Sequence, residues 1–248
     1  MSGRQAEGPD KAQSFDISSF LLRTTDGSTW DVSDAEKFDF AGFFDWMVDC
    51  RHLLLAKDEL TWMQTQRVVD ERRAIFLNMS CGTQLAPHLT LDTVSVFRAL
   101  GIDFVAGSGR QYCCGKIYRS RGRMSAGESV SHASLDRITE WGAETAVHTC
   151  HSCQIMYTDY TTRVADAAPG LANTHVSQFI EARLRELGDR VPWRKTLDLR
   201  VLVEGHGPEV SPVHHAATEA ETRLLALIPG VTVVGLVDAP ARGMPCKS

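Results

Sequence analysis

The chain has no apolar run near the roughly 20 residues that a bilayer-spanning helix needs. Its best candidate, Leu224 to Val237, is broken by Pro229-Gly230. The opening residues, MSGRQAEGPDKAQS, lack the apolar core of a secretory leader. There is no surplus of basic residues: the net charge is -5, which gives no pull toward nucleic acid. No phosphate-binding loop is present either, because Gly107-Ser108-Gly109 lacks the rest of any nucleotide fingerprint. Without a flavin or nicotinamide site, any electrons the protein uses must come from another protein. These absences lead to the expectation of a cytoplasmic protein with no transmembrane segment, in a compartment that keeps thiols reduced.

What remains is an ordinary globular composition, 43% apolar and 23% charged, in 248 residues. That is enough for one large domain or two small ones. Against this background the seven cysteines stand out, because in a reducing compartment they argue for a metal or redox centre over a disulfide framework. Five fall between positions 81 and 153: Cys81, the adjacent pair Cys113-Cys114 followed by Gly115, then Cys150 and Cys153. Gaps of 31 and 35 residues separate the three groups, so only a folded domain gathers them. Thiolates are soft ligands suited to zinc, copper(I) and iron–sulfur clusters. Four complete a tetrahedral zinc site, and the fifth is a surplus.

The chain around them reads as α/β. Residues 1–14 are polar and form an expected disordered tail. Residues 15–72 form an N-terminal extension, mainly helical after a hairpin around Asp26-Gly27. Ser33 and Glu36 fit a capping box there, Phe40, Phe43, Phe44 and Met47 recur at helical spacing, and Cys50 reads as a buried small hydrophobe. Residues 73–190 alternate strand and helix. Strands are expected at Ala74–Met79, Ile102–Val105 and Thr145–Thr149, with helices from about Thr90, Ser125 and Thr174. Such alternation signals a parallel sheet, and each cysteine group lies beyond the carboxyl end of a strand, where these sheets place ligands. Residues 191–248 restart the pattern with a strand at Arg200–Glu204, a helix from about His215 and a strand at Val231–Val237.

The cysteine spacing resembles the CCG cysteine-rich family, best known from heterodisulfide reductase. That family's pattern has 31–39 residues before the pair and 35–36 after it, so both gaps fit. The segment Asn173-Thr174-His175-Val176-Ser177-Gln178-Phe179-Ile180 also looks like the family's stretch after the last two cysteines. The resemblance implies a parallel-sheet βαβ CCG domain, with residues 191–248 as a degenerate second half-repeat. It further implies a noncubane [4Fe-4S] cluster held by Cys81, Cys113, Cys114, Cys150 and Cys153. Such a cluster lies near the surface and breaks or forms a disulfide in a thiol substrate by one-electron steps. Alternatives stay open: a zinc site on four of the cysteines, an ordinary cubane with a spare thiol, or an electron-relay and assembly subunit like those of lactate- or glycerol-phosphate-type dehydrogenase complexes.

The five cysteines, with His206, are the candidate catalytic residues. His206 falls where a ligand cysteine would stand in a full second repeat, and Cys246 falls near the place of the pair. His148 and His151 flank Cys150 and could donate hydrogen bonds to sulfur or supply protons. Lys116, Arg119, Arg121 and Arg123 follow the pair and could offset an anionic centre. The expected partners are a flavoprotein or ferredoxin-like iron–sulfur subunit, and a thiol or disulfide substrate.

Overall fold

The computed structural model describes residues 72–164, 166–205 and 211–238, with Asp39 and Gly42. The expected tail, nearly all of the N-terminal extension with Cys50, and also His206 and Cys246, lie outside the described residues.

Four short strands form one parallel sheet: β1 (Ile75–Met79), β2 (Val105–Ser108), β3 (Thr145–His148) and β4 (Ala172–His175), in the order β2-β1-β3-β4. Parallel strands need long crossovers, and helices supply them. These are α1 (Pro87–Ala99), the single turn α2 (Lys116–Arg119), α3 (Met124–Glu140), α4 (His151–Arg163) and α5 (Val176–Leu187). Both faces of the sheet are covered, so the central strands are apolar on alternate sides. Phe76 and Ala146 face one core with Leu135, Ile138, Met156 and Tyr157 from α3 and α4. Leu77, Met79 and Val147 face the other with Val94 and Phe97 of α1, backed by Val176, Phe179 and Ile180 of α5.

A second unit follows: β5 (Leu199–Gly205), α6 (Pro212–Ala226) and β6 (Val231–Asp238), whose two strands pair in parallel with an irregularity between Val201 and Leu202. This is the strand–helix–strand order expected for the second half. A two-stranded sheet is marginal alone, and α6 packs it against α5 and α4. Glu181 of α5 fixes that contact. Its carboxylate accepts both from Arg223 of α6, at 2.8 and 3.1 Å, and from Arg185 at 2.9 Å. Among the described residues no helix is long and apolar enough to cross a membrane.

Three local expectations differ. The second strand starts at Val105, not Ile102. Helix α3 starts at Met124, with Arg123 at its N-cap and no side-chain cap, so the anticipated Ser125–Glu128 box is not used. The sequence pattern puts a helix cap at Thr174, but that residue lies within β4. The N-cap is His175, whose backbone N–H donates to Gln178 Oε1 at 3.1 Å.

Phe97 is fully buried, edge-on to Phe104 at 5.1 Å and stacked on Phe179 at 5.6 Å. Phe97→Ala should therefore cost about 3–5 kcal/mol in urea unfolding. The Arg223 fork, with Arg185, holds the Glu181 carboxyl below its ordinary range. A depressed carboxylate stabilises the fold above its unfolded pKa and loses that contribution as pH falls through the folded one. Glu181→Gln should be less stable than the wild type at neutral pH, and thermal melts should converge as both are taken below the carboxylate range.

Candidate metal centre

The ends of β1 and β3 are laced together. Thr149 N–H donates to Asn78 O at 3.2 Å, and Ser80 N–H donates to Thr149 Oγ1 at 3.1 Å. This brings the turn that starts at Cys81 beside Cys150, the N-cap of α4. The pair reaches the same place by a different route. Gly115 adopts φ 76°, a left-handed conformation open to glycine, and reverses the chain immediately after Cys114. A Cβ there would sit 2.2 Å from Gly127 O, so loop and helix α3 touch backbone to backbone. Two serines on the same face of α3 then hold the pair's carbonyls: Ser134 Oγ donates to Cys113 O at 2.9 Å and Ser131 Oγ to Cys114 O at 2.8 Å.

The five thiols form one interacting group. Cys81 feels Cys113, Cys114 and Cys150 electrostatically. Cys153 hydrogen-bonds both Cys114 and Cys150. Cys113, Cys114 and Cys153 are buried, and the group keeps its remaining solvent exposure at Cys81 and Cys150.

Burial divides the thiols into two kinds. The Cys150 thiol is brought down to about 6, chiefly by the hydrogen bond from Cys153 and then by the backbone N–H groups of Cys153 and Ser152 at the start of α4. Cys114 is lowered too, first by Cys153 and then by the N–H and charge of Lys116. Cys153, the donor to both, is pushed far up. Desolvation raises Cys81, and it carries Cys113 to about 12 although Gly115 N–H donates to its Sγ at 3.4 Å. The metal-free site thus holds two thiolates and three thiols.

The flanking residues divide as well. His148 is fully buried, with Nε2 2.9 Å from Asn173 Oδ1 and Nδ1 3.1 Å from Asn78 Nδ2. Because Asn173 Oδ1 only accepts, Nε2 carries the proton and Nδ1 accepts from Asn78. Neither nitrogen is left for a sulfur, and burial lowers the ring to about 4. His151 points its Nε2 to Glu221 on α6, 3.5 Å away. Of the basic residues after the pair, Lys116 is the one whose charge acts on a sulfur. Arg119 binds Asp159 at 3.3 Å, and Arg121 is buried.

Sequence reasoning missed the supports: Asn78, Asn173, Gly127, Ser131, Ser134 and Tyr157. Tyr157 is wholly buried against the thiols, its hydroxyl donating to Tyr112 O at 3.0 Å. One signal was readable. Gly127, Ser131 and Ser134 put small residues on the buried face of α3, where the backbone of another segment can approach.

Residues 76–158 match the model of the CCG cysteine-rich domain. The chain carries a CCG domain. Its curated relatives include proteins named as one subunit of the dihydromethanophenazine:CoB–CoM heterodisulfide reductase. That of Methanosarcina acetivorans is 25% identical over 188 residues, 74% of this chain and 45% of the relative. That of Methanosarcina mazei is 22% identical over 185 residues, 72% of this chain and 44% of the relative. The chain therefore spans less than half the length of these relatives. No solved structure matches it.

If Gly115 is demanded by both its φ and its contact with Gly127, Gly115→Ala should cost more than the left-handed penalty of about 1–2 kcal/mol. Gly122 supplies the control, having φ 73° and open space around its Cβ position. In urea unfolding Gly122→Ala should lose only that penalty. Gly115→Ala should exceed it by at least about 1 kcal/mol, the usual cost of crowding a tight contact.

Proposed function

We propose that the chain is an iron–sulfur subunit of an oxidoreductase of the heterodisulfide reductase type. In this reading Cys81, Cys113, Cys114, Cys150 and Cys153 hold a noncubane [4Fe-4S] cluster. The observation that carries it is the convergence of all five thiols on one edge of the CCG sheet, supported by the relatives' names.

The spread of the sulfurs favours a cluster over a single ion. Four thiolates at about 2.3 Å from one zinc would stand about 3.8 Å apart. Among the described residues no three of these sulfurs lie within 4.8 Å of one another. Backbone donors also suit a polynuclear anionic centre, whose potential is set by hydrogen bonds to its sulfurs. Such donors come from Gly82, Gly115, Lys116, Ser152 and Cys153.

When bound, the cluster would supply single electrons to, or take them from, a substrate sulfur. The residues around it would do the rest. Loading releases protons from Cys81, Cys113 and Cys153, the three thiols the empty site keeps protonated. Lys116 offsets negative charge at the pair, and Tyr157, Phe76 and Tyr112 keep water from the inner sulfurs. The partly exposed Cys81 and Cys150 mark the side from which a thiol or disulfide would approach. Cleaving a disulfide to two thiols consumes two electrons and two protons, and a flavoprotein or ferredoxin-like partner would provide the electrons. His206 remains a proposed catalytic residue.

Anaerobic purification of the full chain should yield about four iron and four sulfide per chain, with an EPR signal that small thiols perturb. Cys153→Ser should remove nearly all of the iron. A protein carrying only zinc would overturn the proposal, and a cluster indifferent to added thiols would make the chain an electron relay.

A further inference from the structure

Beside Cys150, three elements meet at a group of nitrogen and oxygen donors that the five sulfurs do not include. His151 opens α4, His175 ends β4, and Glu221 comes from α6 of the second unit. We propose that His151, His175 and Glu221 bind a divalent cation of the zinc type. This site is separate from the cysteine centre and fastens the second unit onto the CCG domain.

Geometry favours it. Glu221 Oε1 lies 3.5 Å from His151 Nε2 and 3.8 Å from His175 Nδ1. The three ligand atoms fall within 4.8 Å of one another. Donors at about 2.0–2.1 Å from a tetrahedral zinc stand about 3.3 Å apart, so small rotations close the set. Two imidazoles with one carboxylate is also a ligand set zinc uses when it keeps a position for water. Glu221, a third exposed, leaves room for that water.

The unmet donors point the same way. His175 is 3% exposed, yet its Nε2 has no hydrogen-bond partner, and neither does the buried Nε2 of His151. Ser177 Oγ lies 2.7 Å from His175 Nδ1 and donates its hydrogen to Ala217 O at 3.1 Å. Nδ1 therefore donates to Ser177, leaving the lone pair on Nε2. Ligand histidines are oriented in this way, through a hydrogen bond from the other nitrogen. The His151 ring is held between two others, His175 at 3.9 Å and His214 at 4.0 Å. Three close imidazoles cannot all take protons without repulsion, whereas a bound cation uses their neutral forms.

The test is titration of the anaerobic full-length chain with Co(II), followed by Zn(II) competition, after its iron and sulfide have been measured. The expected result is one tight equivalent of cobalt with the ligand-field absorption of nitrogen and oxygen donors and no thiolate-to-cobalt charge transfer. Zinc should displace it. Glu221→Gln, which changes a solvent-accessible carboxylate without altering its size, should weaken binding about tenfold or more, as should His175→Gln. His132→Gln should change nothing, its ring being exposed and 3.8 Å from Asp136. Charge transfer from sulfur, or equal cobalt affinity in Glu221→Gln, would overturn the proposal. Iron and sulfide content in the same samples reports on the cysteine centre alone, so failure of either reading is seen separately.

Discussion

Five thiols enclosed at the end of a parallel sheet cannot all ionise. Bringing thiolates out of water raises their energy, and each new one raises that of its neighbours. The protein resolves this by making one proton serve two sulfurs. Cys153 donates to Cys114 and Cys150, both of which drop below the ordinary thiol range, while Cys81 and Cys113 remain protonated. A metal centre would replace those protons with positive charge. The rest of the domain is organised to keep the sulfurs close enough for that exchange.

Each approach to the site uses backbone where a side chain would take too much space. Gly115 and Gly127 let a loop touch a helix, and Ser131 and Ser134 reach only far enough to hold the pair's carbonyls. On the other side, Asn78 and Asn173 grip His148 from both flanks, which gives the strand ends a shared polar spine inside an otherwise apolar core. His148 thus stiffens the strand ends that carry Cys81 and Cys150, and does not itself serve a sulfur.

The five-cysteine group was legible because its spacing is local information repeated three times, and each group follows a strand whose apolar run is unmistakable. Helices α1, α3, α5 and α6 were legible from period and stop signals. The strand β4 was not, since Ala172-Asn173-Thr174-His175 has no apolar run and becomes a strand only by pairing with β3. The Ser125–Glu128 pattern misplaces the start of α3 because it is permissive: a box satisfies free N–H groups only when the chain bends at the serine, and here it bends at Arg123. The meeting of His151, His175 and Glu221 depends on how α6 docks, which no spacing within one element encodes.

That docking explains why a second unit with only two strands accompanies the CCG domain. Its sheet leaves Leu199, Leu202, Val234, Leu236 and Val237 exposed, so burial within the unit alone is a weak source of stability. Three polar ties instead run to α6 from the first domain. Ser177 donates to Ala217 O at 3.1 Å, Glu181 grips Arg223, and His151 with His175 faces Glu221. Two of these start within a few residues of β4, an edge strand of the first sheet, and the third starts next to Cys150. Helix α6 therefore acts as a cover over the flank of the cysteine group. Whatever moves α6 also moves the residue following a proposed cluster ligand, so the half-repeat that lacks most of the ligand cysteines can still influence the centre in the complete one.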